Sequence, residues 1–170
     1  MAGTSVKQAS PGTQHSSLYQ KAYKLIADHK AGALATANSR GIPHVAIVYF
    51  IVKEDLSLYF STRVESRKFR NIQKRQKVSV AFFDELNMET VQLTGQVERV
   101  GKLSTEQEIL GELIQLRYGE PNWPVPPVKM FESGITNELA ILKITPSELT
   151  YGSFDVAENG RYLPFFEEVI

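Results

Sequence analysis

Hydrophobic and polar residues alternate most cleanly at Thr90–Val100 (TVQLTGQVERV). Val91, Leu93 and Val97 fall on one face, and Gln92, Thr94, Gln96 and Glu98 on the other, the period-two pattern of a strand with one buried face. Val78–Phe83 is a second β-rich run, and Ala33–Asn38, Ile42–Val52, Leu56–Ser61, Leu139–Thr145 and Leu149–Phe154 read as further strands. Ser39-Arg40-Gly41 and Lys53-Glu54-Asp55 are the turn signals between the early ones. Three segments change to helical spacing. In Ser17–His29, Leu18, Ala22, Leu25 and Ile26 recur on one side, and Ser17 with Gln20 has the capping-box spacing. Ser66–Gln76 has Ser66 as a cap with Phe69 and Ile72 on one side, and Ser104–Tyr118 repeats the box with Ser104 and Gln107. Six or seven strands joined mostly by hairpin-length turns predict a mainly β, α+β fold, an antiparallel barrel with flanking helices.

One strand departs from the pattern. In Ile42–Val52 both faces are apolar, with Val45, Ile47, Tyr49 and Ile51 on one and Ala46, Val48, Phe50 and Val52 on the other. A barrel wall needs an apolar inner face only, so a cover is expected outside, and a second copy of the chain is the simplest one. The expectation is a homodimer. Residues 1–16, polar and rich in Ser and Thr, read as a disordered tail without the apolar core of a signal peptide. Residues 17–154 form the expected domain, and 155–170 a C-terminal extension packing on the barrel or on the partner subunit. The four prolines of 119–136 make that stretch a long loop.

Composition narrows the chemistry mainly by exclusion. The chain has 19 basic and 19 acidic residues, so any hold on a polyanion must be local. The absence of cysteine removes thiol nucleophiles, disulfides and Cys-ligated metals, and it fits a reducing compartment such as the cytoplasm. The longest apolar run, Val45–Val52, is far short of the roughly 20 residues of a membrane span. His15, His29 and His44 share no metal-ligand spacing, and no G-x-S-x-G is present, so a metal site or an esterase triad has no support.

Charge is concentrated in RVESRKFRNIQKRQK, residues 63–77, where Arg63, Arg67, Lys68, Arg70, Lys74, Arg75 and Lys77 face a single acid, Glu65. A stripe at 67, 70, 74 and 77 is commonly only a solvated helix face. Nucleic-acid binding calls for a broader basic surface with stacking aromatics, and Phe69 is the only aromatic in the stretch. A third reading uses the helix start alone. Ser66, Arg67 and Lys68 follow a strand at a helix N-terminus, where free amides and the dipole favour an anion, and a hydroxyl, a guanidinium and an ammonium match a phosphate.

The order HVAIVY, LYFST, ESRKFRNIQ, KVSVAFF and VQLTGQVERV resembles the pyridoxamine 5′-phosphate oxidase-like FMN-binding split barrel, well over Ala33–Val100 and in outline to Phe154. The resemblance implies an antiparallel split β-barrel, homodimeric, with FMN at the subunit interface. It implies that the strand with His44, Val45, Ala46, Ile47 and Tyr49 lies along the flavin, its backbone meeting the isoalloxazine. Ser61 and Thr62 would meet the ribityl-phosphate side, and Ser66, Arg67 and Lys68 the phosphate. Gln92, at the glutamine of the family's Q-x-x-G strand, would reach the flavin from the partner subunit.

Departures limit what carries over. The enzyme that names the family has basic residues at both ends of the strand resembling HVAIVY, where this chain has His44 and Tyr49. It also has an arginine-rich C-terminal segment, whereas Arg161 is the only arginine here after Arg117. Vitamin B6 oxidation is therefore not expected. The expected function is an FMN-dependent oxidoreductase of unassigned substrate, electron donor and acceptor, with no side chain identified as a catalytic acid or base. The alternatives are a non-catalytic flavin sensor or store, and a deazaflavin- or haem-binding member of the same fold. The 119–136 loop, with Trp123 and Met130, is open as a cover for the flavin or as an ordinary connection.

Overall fold

The computed structural model describes residues 11–118, 138–154 and 165–170. The 119–136 loop with Trp123 and Met130, most of the expected N-terminal tail and most of the 155–170 extension lie outside the described residues. The elements are α1 (Pro11–His29), β1 (Ala31–Ala37), β2 (Pro43–Tyr49), β3 (Ile51–Val52), β4 (Leu58–Arg63), α2 (Arg67–Lys74), β5 (Lys77–Asp84), β6 (Glu89–Arg99), α3 (Leu103–Tyr118), β7 (Leu139–Ser153) and β8 (Phe165–Glu168). The sheet runs β2-β1-β5-β6-β7-β4-β3 in one antiparallel path of seven strands, with β8 added to β7. This curled sheet with three helices is the expected mainly β barrel architecture. No helix among the described residues is long and apolar enough to cross a membrane.

Period-two patterning translates directly into burial in β5, where Val78, Val80 and Phe82 are buried between exposed neighbours. In β6, Val91, Leu93 and Val97 are buried as expected, while Gln92 and Gln96 are exposed. These side chains, with Leu18, Ala22, Leu25 and Ile26 of α1 and Phe69 and Ile72 of α2, fill the core inside the curl. Phe50 lies at its centre, edge-on to Phe60 at 5.5 Å and to Phe82 at 5.6 Å. A smaller core forms on the outer side, where Ile109, Leu110 and Leu113 of α3 meet Ile51, Leu139 and Ile141.

Several expected boundaries move. The expected strand 42–52 is two strands: β2 pairs with β1, whereas β3 pairs with β4 at the other end of the sheet. The break falls at Phe50, whose ring enters the core while its N–H donates to Lys30 O at 2.7 Å. Conversely, the two expected closing strands are the single β7, which carries Pro146 at an irregularity opposite Thr94/Gly95. Proline cannot donate to a ladder, and the bulge absorbs it. At the same place a Cβ on Gly95 would lie 2.5 Å from Thr145 O, so the strands approach too closely for any other residue. α1 starts at Pro11 instead of Ser17; proline's fixed φ and missing N–H suit a first helical position. α3 starts at Leu103, with Glu106 N–H on Lys102 O, so Ser104 lies inside the first turn and does not cap it.

Candidate functional site

α2 begins as its sequence predicts. Ser66 has extended backbone (φ −69°, ψ 151°), and its Oγ accepts the Phe69 N–H at 3.2 Å. The same hydroxyl is 2.9 Å from Thr62 Oγ1, which ties the cap to the end of β4. Phe69, Asn71 and Ile72 anchor the helix from its buried side. Arg70 N–H bonds Ser66 O, so with Phe69 N–H on the cap the amides of Arg67 and Lys68 are the helix's uncommitted donors.

The basic stretch then divides by its contacts. Arg70 donates to Glu65 O at 2.9 Å, Arg75 donates to Ser39 O at 3.1 Å, and Lys77 Nζ lies 3.9 Å from Glu148. Arg67 is exposed and Lys68 half-buried, and neither meets a carboxylate or a carbonyl among the described residues. Two cations and two amides thus stand together at one helix end without an ion-pair or hydrogen-bond partner among the described residues.

β2 offers a different kind of capacity. It is the outer strand of the sheet, paired with β1 alone. Asn38 N–H on Ile42 O and Phe50 N–H on Lys30 O bracket the β1–β2 ladder, and hydrogen-bonded pairs recur every second residue between them. His44, Ala46 and Val48 therefore bond to β1, while Val45 and Ile47 direct N–H and C=O away from it, where no described strand pairs with them. Their side chains are 59% and 71% exposed.

The two regions are linked through the core. Asn71 Nδ2 of α2 donates to Thr36 Oγ1 of β1 at 3.0 Å, and Thr36 Oγ1 donates to the His44 carbonyl of β2 at 3.4 Å. Nδ1 of the His44 ring is buried without a hydrogen-bond partner. Thr36 and Asn71 escaped the sequence reading. The available signal was an amide between Phe69 and Ile72 on the buried side of α2.

The other predicted residues separate by face. Thr62 is buried on the inner side of β4 beside Ser66, whereas its neighbour Ser61 points to the opposite face, with Tyr59, and is half-buried. Gln92 is exposed on the outer face, on the ladder Ile47–Ala33–Ala81–Gln92. Three strand spacings separate it from β2, roughly 14 Å. It borders an open groove of about 420 Å³ floored by Ala33, Ala35 and Ala81. Thr62, Ser66, Arg67 and Lys68 are thus one cluster, joined to His44 through Thr36 and Asn71. Gln92 lies on the opposite side of the sheet from the core into which α2 packs. No group of three His, Asp or Glu that could hold a metal occurs among the described residues.

This donor set fits FMN. The cations and amides at the α2 start suit a phosphate, and the unpaired edge of β2 alternates N–H and C=O as the pyrimidine edge of a flavin ring requires.

The family model for pyridoxamine 5′-phosphate oxidase matches residues 18–151. No curated protein matches the sequence. Among solved structures, the chain is similar to a pyridoxamine 5′-phosphate oxidase-related, FMN-binding protein from Nostoc punctiforme (13% identity, TM-score 0.58, covering 94% of this chain and 98% of that one). It is similar to PhzG from Burkholderia lata in complex with tetrahydrophenazine-1-carboxylic acid (15% identity, TM-score 0.61, 95% and 92%). An F420 reductase matches at 23% identity and TM-score 0.57, covering 74% of this chain and 93% of its own. At these identities the likenesses establish the fold.

Proposed function

The chain belongs to the pyridoxamine 5′-phosphate oxidase family, and from that membership we propose that it binds FMN and acts as an FMN-dependent oxidoreductase. The observation that carries this reading is the start of α2, where Arg67, Lys68 and their amides have no partner among the described residues. In this reading Arg67 and Lys68 hold the phosphate, and Thr62 keeps the Ser66 cap in place beside it. The edge amides and carbonyls of Val45 and Ile47 orient the ring along β2, and His44, Ala46 and Tyr49 complete that wall. Ser61 contributes through its backbone, since its side chain faces away from Thr62. Bound FMN supplies hydride exchange at its N5, while the protein sets its position and excludes water.

The exposed Val45 and Ile47 support the second part of the proposal, a homodimer closing on this face. Gln92, across the outer groove, would then serve the partner's flavin site. A chain without cysteine suits a reducing cytoplasm, where the reading places it. The strand ends at His44 and Tyr49 carry no arginine or lysine, so the reading does not extend to vitamin B6 oxidation.

The test is a titration of the purified chain with FMN, haem and a deazaflavin in parallel, followed by absorption and by quenching of flavin fluorescence. Saturable FMN binding, followed by bleaching of its absorption on addition of NAD(P)H or another reductant and recovery with an acceptor, is the expected result. Selective binding of haem or deazaflavin, or failure to bind FMN at all, would refute the cofactor. FMN that binds but is never turned over would point to a sensor or store.

A further inference from the structure

We infer that Asn71 and Thr36 are positioning residues that couple the phosphate end of the site to its ring end, an inference that rests on the FMN reading above. Three of the buried polar residues, Thr36, Thr62 and Asn71, gather around this one eight-residue helix. Two separate links follow from them. Thr62 holds the Ser66 cap to β4, and Asn71 holds the middle of the helix to Thr36 on β1 and, through it, to the His44 carbonyl on β2.

Hydrophobic packing alone would keep α2 on the sheet, since Phe69 and Ile72 are already buried in the core. It would not fix the helix along its own axis, because apolar contacts are non-directional. A buried amide is costly unless it is bonded, so Asn71 is satisfied at the one helix position that brings it to Thr36. Arg67 and Lys68 lie four and three residues before Asn71, on neighbouring positions of the same helical face. Fixing Asn71 therefore fixes their distance from β2. A ligand that spans both ends gains from that fixed distance, and a ligand that touches β2 alone does not.

The readout is the ratio of affinities for FMN and riboflavin, which share the ring and differ in the phosphate. Asn71→Leu and the double variant Thr36→Val/Asn71→Leu are compared with the wild type by fluorescence quenching, together with thermal melts of the cofactor-free proteins. The double variant removes both side chains of the link and leaves the His44 carbonyl its ladder hydrogen bond to β1, so no polar group is orphaned and the double variant should fold even if the single variant does not. The expected result is unchanged riboflavin affinity, an unchanged or raised melting temperature, and FMN affinity lowered roughly 10- to 100-fold, the cost of losing a charge-assisted hydrogen bond to the phosphate. A preserved FMN-to-riboflavin ratio would overturn the inference. So would a parallel loss of both ligands and of thermal stability, which marks a purely structural role. A wild type that holds riboflavin as tightly as FMN would overturn the phosphate reading itself, and the coupling with it.

Discussion

Replacing Arg67 by alanine separates a ligand-directed charge from a structural one. The guanidinium is exposed and meets no carboxylate or carbonyl among the described residues, so its removal takes no contact from the cofactor-free fold. Stability should stay within about 0.5 kcal/mol of wild type, the usual range for such surface changes. FMN affinity should fall. A hydrogen bond to a charged group is worth about 1.5–3 kcal/mol, which corresponds to about 10- to 150-fold in dissociation constant. Solvent screening of an exposed charge draws the expectation toward the lower part of that range. Arg75→Ala is the internal control, and its contacts predict the opposite pattern. Arg75 is eight residues further on, about 12 Å along the helix axis, beyond the Debye length of about 8 Å at physiological salt. Its side chain donates to Ser39 O, so the variant should lose about 0.5–1.5 kcal/mol of stability while FMN affinity barely moves. Fluorescence titration and urea unfolding of both variants provide the two readouts. Equal affinity losses at the two positions would refute the reasoning and indicate a diffuse basic surface.

Gly95→Ala should destabilise by about 1–3 kcal/mol in urea unfolding, because the new Cβ meets a backbone carbonyl, Thr145 O, that cannot swing aside. Ile47→Glu places a charge on the exposed face of β2, and the proposed homodimer should then run as a monomer by size-exclusion chromatography with light scattering, while the monomer keeps its circular dichroism. The Asp84 carboxyl is held below the usual aspartate range by the Asn87 backbone and side-chain donors, then by Leu86 N–H and the neighbouring His29. A carboxyl depressed in the folded state contributes stability above the unfolded value, about 3.9, and that contribution is lost as pH falls through the folded one. Melting temperatures of wild type and Asp84→Asn should therefore differ most near neutral pH and converge in strong acid.

How far the chain could be read without coordinates differs from element to element. Ser66 as a helix cap, the inward face of β6 and the outward Gln92 follow from spacings of two to four residues, and the structure keeps all of them. The apolar second face of β2 was legible in the same way, and its exposed Val45 and Ile47 remain without a cover among the described residues. The overall architecture rested partly on this patterning and partly on the ordered resemblance of five short segments to a known barrel.

Other features depended on residues far apart in the chain. Nothing local to Phe50 states that the strand must break there; the break is set by the rings of Phe60 and Phe82 and by the carbonyl of Lys30. Pro146 reads locally as a strand end, yet β7 runs through it because the bulge beside Gly95 accepts a residue without an N–H. β8, unforeseen, pairs with β7 across a segment that separates them in sequence. Among seven basic residues, composition could not tell which were already engaged. Arg70, Arg75 and Lys77 meet Glu65, Ser39 and Glu148, and of the cations without such a contact Arg67 and Lys68 stand at the start of α2 whereas Lys74 lies in its last turn. Local spacing set the Ser66 cap and the faces of β6, since each depends on neighbours within one turn or one pleat, whereas the caps expected at Ser17 and Ser104 did not form because both helices start earlier. The tertiary structure decided where strands end, which charges stay open and how Asn71 reaches His44, since those depend on contacts the chain makes only once it has folded back on itself.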